Sequence, residues 1–212
     1  MTLSAILTAQ HLGFDFPDQQ LFNNQSFTLQ PGVTLLRGEQ GTGKTLLLRL
    51  LAGEMAATRG TLRIHDAVLA QTPEAYQRQV FWMDPRSAAV DALEPITPAA
   101  YFESVSRLYL QFDRNMVTSL VQDFSLHEHM NKPFYMLSTG SKRKVLLTAA
   151  FASSAAVTLL DEPFAALDKA STICLMNRLD DAARQSRRAW LVAHHGLVCH
   201  APLAGVIDLD TW

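Results

Sequence analysis

The stretch "LLRGEQGTGKTLLLRLLAG", Leu35–Gly53, carries the pattern G-x-x-x-x-G-K-[ST] at Gly38, Gly43, Lys44 and Thr45. Glycines let a backbone curl until successive N–H groups point at phosphate oxygens, and a following helix adds its positive N-terminal end. The setting agrees: "VTLLR" (Val33–Arg37) reads as a strand, and "GKTLLLRLLAG" as a helix stopped at Gly53. Gly38, Gln40, Gly41, Thr42, Gly43, Lys44 and Thr45 are therefore expected to bind a nucleoside triphosphate. Lys44 would reach its β- and γ-phosphates and the Thr45 hydroxyl would ligate Mg²⁺. The loop names a ligand class and leaves open what the triphosphate is used for.

Bulk properties narrow the setting. With 212 residues, 48% hydrophobic and 18% charged at a net charge of −2, the chain can fill the core of one compact domain. It has no basic excess that would make a nucleic acid the expected partner. Cys174 and Cys199 lie far apart in apolar stretches, without metal-ligand spacing or the density of a disulfide framework. A reducing cytosol is the expected compartment. "MTLSAILTAQHLGF" shows neither the basic start nor the apolar run of a signal peptide. The longest apolar stretch, Val145–Leu160, falls short of the roughly 20 residues of a spanning helix, so it reads as a buried helix and then a buried strand. Work at a membrane would then go through a partner.

Working outward from the loop, Phe27, Leu29 and Val33–Arg37 read as strands around a Pro31-Gly32 turn, and Thr61–Ile64 and Gln79–Met83 as further strands. From about Pro85 to Met136 the character turns helical, with amphipathic stretches "PAAYFESVSRLYL" and "RNMVTSLVQDF". Then come a helix (Ser141–Ser153), a buried strand (Ala156–Leu160), the helix "ASTICLMNRLDDAARQ", and strands "AWLVA" and "GVIDL". Continuous apolar strands alternating with helices predict an α/β fold with a mostly parallel sheet covered on both faces.

A second motif, "AVTLLDEPFAALD", runs four apolar residues into Asp161 and Glu162. An acid that ends a buried strand stands at the carboxyl edge of the sheet, where α/β proteins hold ligands. Asp161 suits Mg²⁺ and Glu162 suits a general base acting on water. Two acids opening a helix would look the same in isolation, and the upstream phosphate loop is what separates the readings.

The third motif is "LSTGSKRKVLLTAA", Leu137–Ala150. The order of phosphate loop, helical insert, "LSTGS" and "LLDEP" resembles the nucleotide-binding subunit of ATP-binding-cassette (ABC) transporters over nearly the whole chain. That resemblance implies a P-loop ATPase fold with an antiparallel N-terminal β part. It implies one domain, 1–212, with an α/β core (1–84 and 151–212) and a helical subdomain (about 85–150) carrying the signature. It implies ATP and Mg²⁺ as cofactors and a head-to-tail pair of copies, or of related ATPase subunits. An integral-membrane transporter subunit would be the partner, and the place of work the cytoplasmic face of the cell membrane. By the same resemblance Ser138 and Gly140 contact the γ-phosphate of ATP on the other copy, and Asp168, at the end of "AALD", faces that copy. His194 in "LVAHH" takes the switch-histidine position, with His195 the alternative. Phe16 takes the adenine-stacking position, with Phe14 the alternative.

The sequence departs from the family at two places. Asp84 stands where the family has a Gln that touches Mg²⁺, which makes Asp84 a third metal candidate and adds negative charge. Thr139 and Ser141 replace Gly and Gln, and Thr139 brings a β-branched side chain to a place of close backbone approach. A soluble ABC-type ATPase and a slow nucleotide-dependent switch are the rival readings. "LHEHM" (Leu126–Met130) lacks a strong metal spacing, and "SRR" (Ser186–Arg188) reads as surface. The chain ends soon after its last strand, so no C-terminal regulatory domain is expected. Small cassettes of this kind resemble those of bacterial exporters, the haem-exporter type of cytochrome c maturation among them.

Overall fold

The strand "AWLVA", Ala189–Ala193, is buried at all five positions, and it lies in the middle of the sheet that organises the molecule. The structure is a computed structural model that describes residues 4–16, 19–83 and 91–212. The chain opens with β1 (Leu7–Phe16), β2 (Gln19–Leu29) and β3 (Gly32–Arg37), followed by α1 (Lys44–Ala52), β4 (Arg59–Ile64), β5 (Ala67–Val68), α2 (Pro73–Gln77) and β6 (Val80–Met83). Next come α3 (Pro98–Leu108), α4 (Arg114–Asp123), α5 (Thr139–Ala152), β7 (Val157–Asp161), α6 (Lys169–Ala183), β8 (Ala189–Ala193) and β9 (Gly205–Asp208). Single 3₁₀ turns occupy His127–His129, Phe134–Met136 and Leu209–Thr211.

Five strands pair in parallel in the order β6-β7-β8-β3-β9. Side chains alternate between faces along each strand, and the core divides accordingly. Trp190 and Val192 of β8 join the apolar cluster built with α3–α6, while Ala189, Leu191 and Ala193 join the cluster under α1 and the N-terminal strands. The second sheet, β2-β1-β4-β5, is antiparallel and packs on that same side. Helix α1 fills the space between the two sheets. Its Leu47, Leu48, Leu50 and Leu51 are fully buried, each worth about 1.5–3 kcal/mol. Gly53 ends it in the left-handed conformation, its N–H turned back to the Arg49 and Leu50 carbonyls.

Several elements differ from the sequence reading. Strand β1 was not anticipated, because its apolar phase flips midway: Leu7 and Ala9 are buried, then Leu12 and Phe14. A register shift between Ala9 and Leu12, with His11 at φ 53°, slips the alternation by one residue. Helix α2 was also missed, being a five-residue turn anchored by the buried Tyr76, whose hydroxyl donates to the Leu51 carbonyl at 2.8 Å. Helix α5 begins two residues earlier than expected, since Ser138 caps it. Strand β7 includes Asp161 itself.

This topology positions the site. In the parallel register Leu36 lies opposite Ala193, and Ala193 opposite Asp161. The carboxyl ends of three neighbouring strands are thus level. β3 runs out into the phosphate loop, β7 ends on Asp161, and β8 gives way to His194.

Candidate active site

The phosphate loop is held from below and behind. Gly43 takes φ +97°, a conformation L side chains rarely adopt, and a Cβ there would come within 2.8 Å of Leu21 and 2.9 Å of Phe22. The Glu39 N–H donates to Asp210 Oδ1 at 2.8 Å, and the Thr42 hydroxyl donates to the Glu39 carbonyl at 2.9 Å. Lys44 Nζ donates to the Gly38 and Glu39 carbonyls at 2.7 and 2.8 Å, which keeps its charge over the loop.

Thr45, in the first turn of α1, donates its hydroxyl to Asp161 Oδ2 at 2.6 Å. Packing of α1 against β7 brings the two together across 116 residues of sequence. Asp161 is 4% exposed. Beside it, Glu162 adopts φ +44°, outside the ordinary range for a residue with a Cβ. Its N–H donates to the Ala193 carbonyl at 3.0 Å, and its own carbonyl accepts from Arg143 Nη1. These two tethers from different elements hold a backbone that costs about 1–2 kcal/mol. Glu162 Oε2 lies 2.7 Å from His194 Nδ1, and the His194 ring packs 4.9 Å from the ring of Phe164.

An open cleft of ≈ 750 Å³ gathers most of these residues. Phe16, Gly38, Gln40, Gly41, Gly43, Lys44, Thr45, Asp161 and Glu162 line it, together with Glu39, Leu21, Leu46 and His195. Phe16 is 47% exposed with its ring at the cleft, whereas Phe14 is buried and meets Phe16 edge-on at 5.1 Å. Thr42 stays within the loop, and His194 sits behind Glu162. Glu39, Arg143, Phe164 and Asp210 were not anticipated. Arg143 stands between Lys142 and Lys144 in the sequence, and its burial within α5 is what brings it to the site.

Ser138, Gly140 and Asp168 lie outside this cleft. The Ser138 hydroxyl accepts from the Ser141 N–H at 3.1 Å and lies 3.0 Å from the Ser141 hydroxyl. Gly140 is closed in by its own chain: a Cβ there would stand 2.6 Å from the Ala166 carbonyl oxygen. Asp168 caps α6 through the Ser171 N–H at 2.8 Å and pairs with Lys144 Nζ at 2.7 Å. The Lys144 hydrogen bond and then the Ser171 donors hold its carboxyl well below the usual carboxylate range. Asp84 lies outside the described residues.

The fold and the motifs define a P-loop ATPase whose candidate catalytic groups stand at the carboxyl edge of a parallel sheet. The sequence profile of the ABC transporter family matches residues 22–165, and the chain belongs to that family, as a nucleotide-binding subunit with ATPase activity. It is 31% identical over 195 residues to the cytochrome c biogenesis ATP-binding export protein CcmA of Legionella pneumophila, covering 91% of this chain and 94% of that one. It is 30% identical to CcmA of Pseudomonas fluorescens, over 91% and 90% of the two chains. In structure it resembles an ATP-binding subunit of an ABC transporter (TM-score 0.78, 23% identity, 90% of this chain and 79% of the other). It also resembles a Pyrococcus furiosus ABC transporter ATP-binding protein (TM-score 0.75, 16% identity, 97% and 98%). Among the described residues no helix is long and apolar enough to cross a membrane.

Proposed function

We propose that this chain is the ATP-hydrolysing subunit of an exporter, working at the cytoplasmic face of the cell membrane against a separate membrane-spanning subunit. The observation that carries the reading is the adjacency of two pairs at one cleft, Thr45–Asp161 at 2.6 Å and Glu162–His194 at 2.7 Å, with His194 behind the cleft wall. Export is supported by the names of the similar CcmA proteins. The chain would form one domain, with residues about 85–150 as a helical subdomain toward the membrane partner.

In this reading Phe16 stacks on adenine, the Gly38–Thr45 loop cradles the phosphates, and Lys44 neutralises charge building on the γ-phosphoryl oxygens. Thr45 and Asp161 present two hard oxygen donors side by side, a pair suited to Mg²⁺, which keeps several of its waters. Bound there with the nucleotide, Mg²⁺ would supply charge neutralisation between the phosphates. Glu162 accepts the proton of the attacking water, and His194 holds that carboxylate in place. Ser138 and Gly140 of a second copy would close over the γ-phosphate, and Asp168 would lie at the junction of the copies. The Ser138–Ser141 hydroxyl contact favours slow closure, since the capping hydroxyl already has a partner in its own chain.

The test is Glu162→Gln, followed by phosphate release and ATP-dependent dimerisation. The variant is expected to bind ATP, to accumulate as a dimer and to turn over about 10²–10⁴-fold more slowly. Turnover at the parent rate removes Glu162 from this role. Purification from detergent-solubilised membranes is expected to bring down a multi-span protein in fixed ratio. A chain recovered only from the soluble fraction would favour the soluble ATPase.

A further inference from the structure

The residues after β8 hold a second kind of metal-binding chemistry, distinct from the hard oxygen pair of Thr45 and Asp161. Consecutive residues of an extended strand point to opposite faces. The chain leaves the strand after Ala193, however, and the rings of His194 and His195 come together, with centroids 4.4 Å apart at 50°. Both present Nδ1 to the same oxygen: Glu162 Oε2 lies 2.7 Å from that of His194 and 3.9 Å from that of His195. One donor atom from each of the three falls within 4.8 Å of the other two, and no other such cluster of His, Cys, Asp and Glu occurs among the described residues.

We propose that Glu162, His194 and His195 bind a borderline transition-metal cation such as Zn²⁺, and that this ion silences the ATPase by occupying its general base. Two imidazoles and a carboxylate, with a fourth position open, are a donor set that Zn²⁺ accepts. Mg²⁺ prefers all-oxygen surroundings, so the two metals sort to different residues of one cleft. Bonds of about 2.0–2.2 Å in a tetrahedron set donors roughly 3.3–3.5 Å apart. The short pair must open and the long ones close, each by on the order of 1 Å. His195, with a side chain 83% exposed, is free to make that movement. His194 is packed against Phe164 and Glu162 is tethered at its backbone, so two donors are already positioned. The fourth position faces the cleft that Glu162 and His195 line. A carboxylate bonded to the ion no longer accepts a proton from water. The silencing rests on the role proposed for Glu162, whereas the binding does not.

The experiment uses the full, untagged chain without nucleotide. Co²⁺ is titrated and followed by its visible absorption, then displaced with Zn²⁺. One Co²⁺ per chain is expected, with the bands of a low-coordinate nitrogen–oxygen site. His195→Ala should weaken Co²⁺ binding at least tenfold, and Glu162→Gln likewise. Affinity unchanged in His195→Ala, or lost only on replacing His127 and His129, overturns the site. Phosphate release is then measured against Zn²⁺ under saturating Mg²⁺. The half-inhibiting concentration should track the Co²⁺ affinity, rising at least tenfold in His195→Ala relative to that variant's own metal-free rate. Stoichiometric binding that leaves phosphate release untouched overturns the silencing, and with it the role of Glu162 rather than the site.

Discussion

Helices α1 and α5 both begin in loops that the sequence marks for phosphate, but they begin differently. α1 starts at Gly43, a left-handed glycine that offers no side-chain cap, and its first residues, Lys44–Leu46, line the cleft. α5 starts at Ser138, whose own hydroxyl caps the Ser141 N–H, and its Gly140 is pressed against the Ala166 carbonyl. The first opens on a cleft that its own fold completes, with Lys44, Asp161 and Glu162, the groups proposed for charge, metal and base, already lining it. The second is a well-capped helix end that lies outside that cleft. A helix N-terminus becomes a binding site through what the tertiary structure sets opposite it.

The sharpest way to break this comparison is Lys44→Ala. Removing the ammonium that lies over the loop should lower ATP turnover at least about 100-fold, read as phosphate release. A smaller loss would mean that the α1 loop does not carry the phosphate charge. Gly140→Ala should instead act on stability. The added methyl meets a backbone oxygen that cannot step aside, and that overlap outweighs the helix-propensity gain of up to about 1 kcal/mol. A net loss of roughly 1–2 kcal/mol is expected in urea unfolding. Unchanged stability would show that α5 and the Ala166 turn separate easily.

Asp168→Ala tests how firmly the α5 region is tied to α6, since it removes a helix cap and the Lys144 partner together. The loss should be about 1 kcal/mol at neutral pH. The sign of its pH dependence follows from the depressed folded-state value. The contribution is present above the unfolded carboxyl range near 4 and disappears as pH falls through the lower folded value. Parent and variant should therefore converge in stability in acid. A gap that persists there would assign the effect to packing. Ser138→Ala is the mildest change, about 0.5–1 kcal/mol in thermal unfolding for an exposed cap. If it also reduces ATP-dependent dimerisation without changing ATP binding by the monomer, the second helix end has the proposed role in trans.

The two regions also differ in how much of each is legible in the sequence. The phosphate loop is local: its glycines, Lys44 and Thr45 lie within eight residues, and strand and helix signals flank them. "LLDEP" was readable for a similar reason, because an apolar run ending in acid marks a sheet edge. The parts that escaped depend on long-range neighbours. Strand β1 hid behind a bulge that shifts its alternation. Arg143 sits in a run of cations, and only the burial of α5 turns its guanidinium toward Glu162. Asp210 meets the loop through a contact spanning 171 residues. The choice between Phe14 and Phe16 is likewise one of facing. Both are aromatic and two apart, but the bulged strand buries the first and leaves the second at the cleft.

By itself, then, the sequence determined the class of ligand, the α/β layering and the order of the motifs, because glycine conformational freedom, apolar periodicity and acid-ended strands are written within a few residues. The tertiary structure alone decided that Thr45 meets Asp161, that Glu162 is fixed between β8 and α5, and that His194 and His195 converge on one carboxylate oxygen. The physical reason is the parallel register. It levels the ends of β3, β7 and β8, and no local pattern in the chain encodes which strands stand side by side.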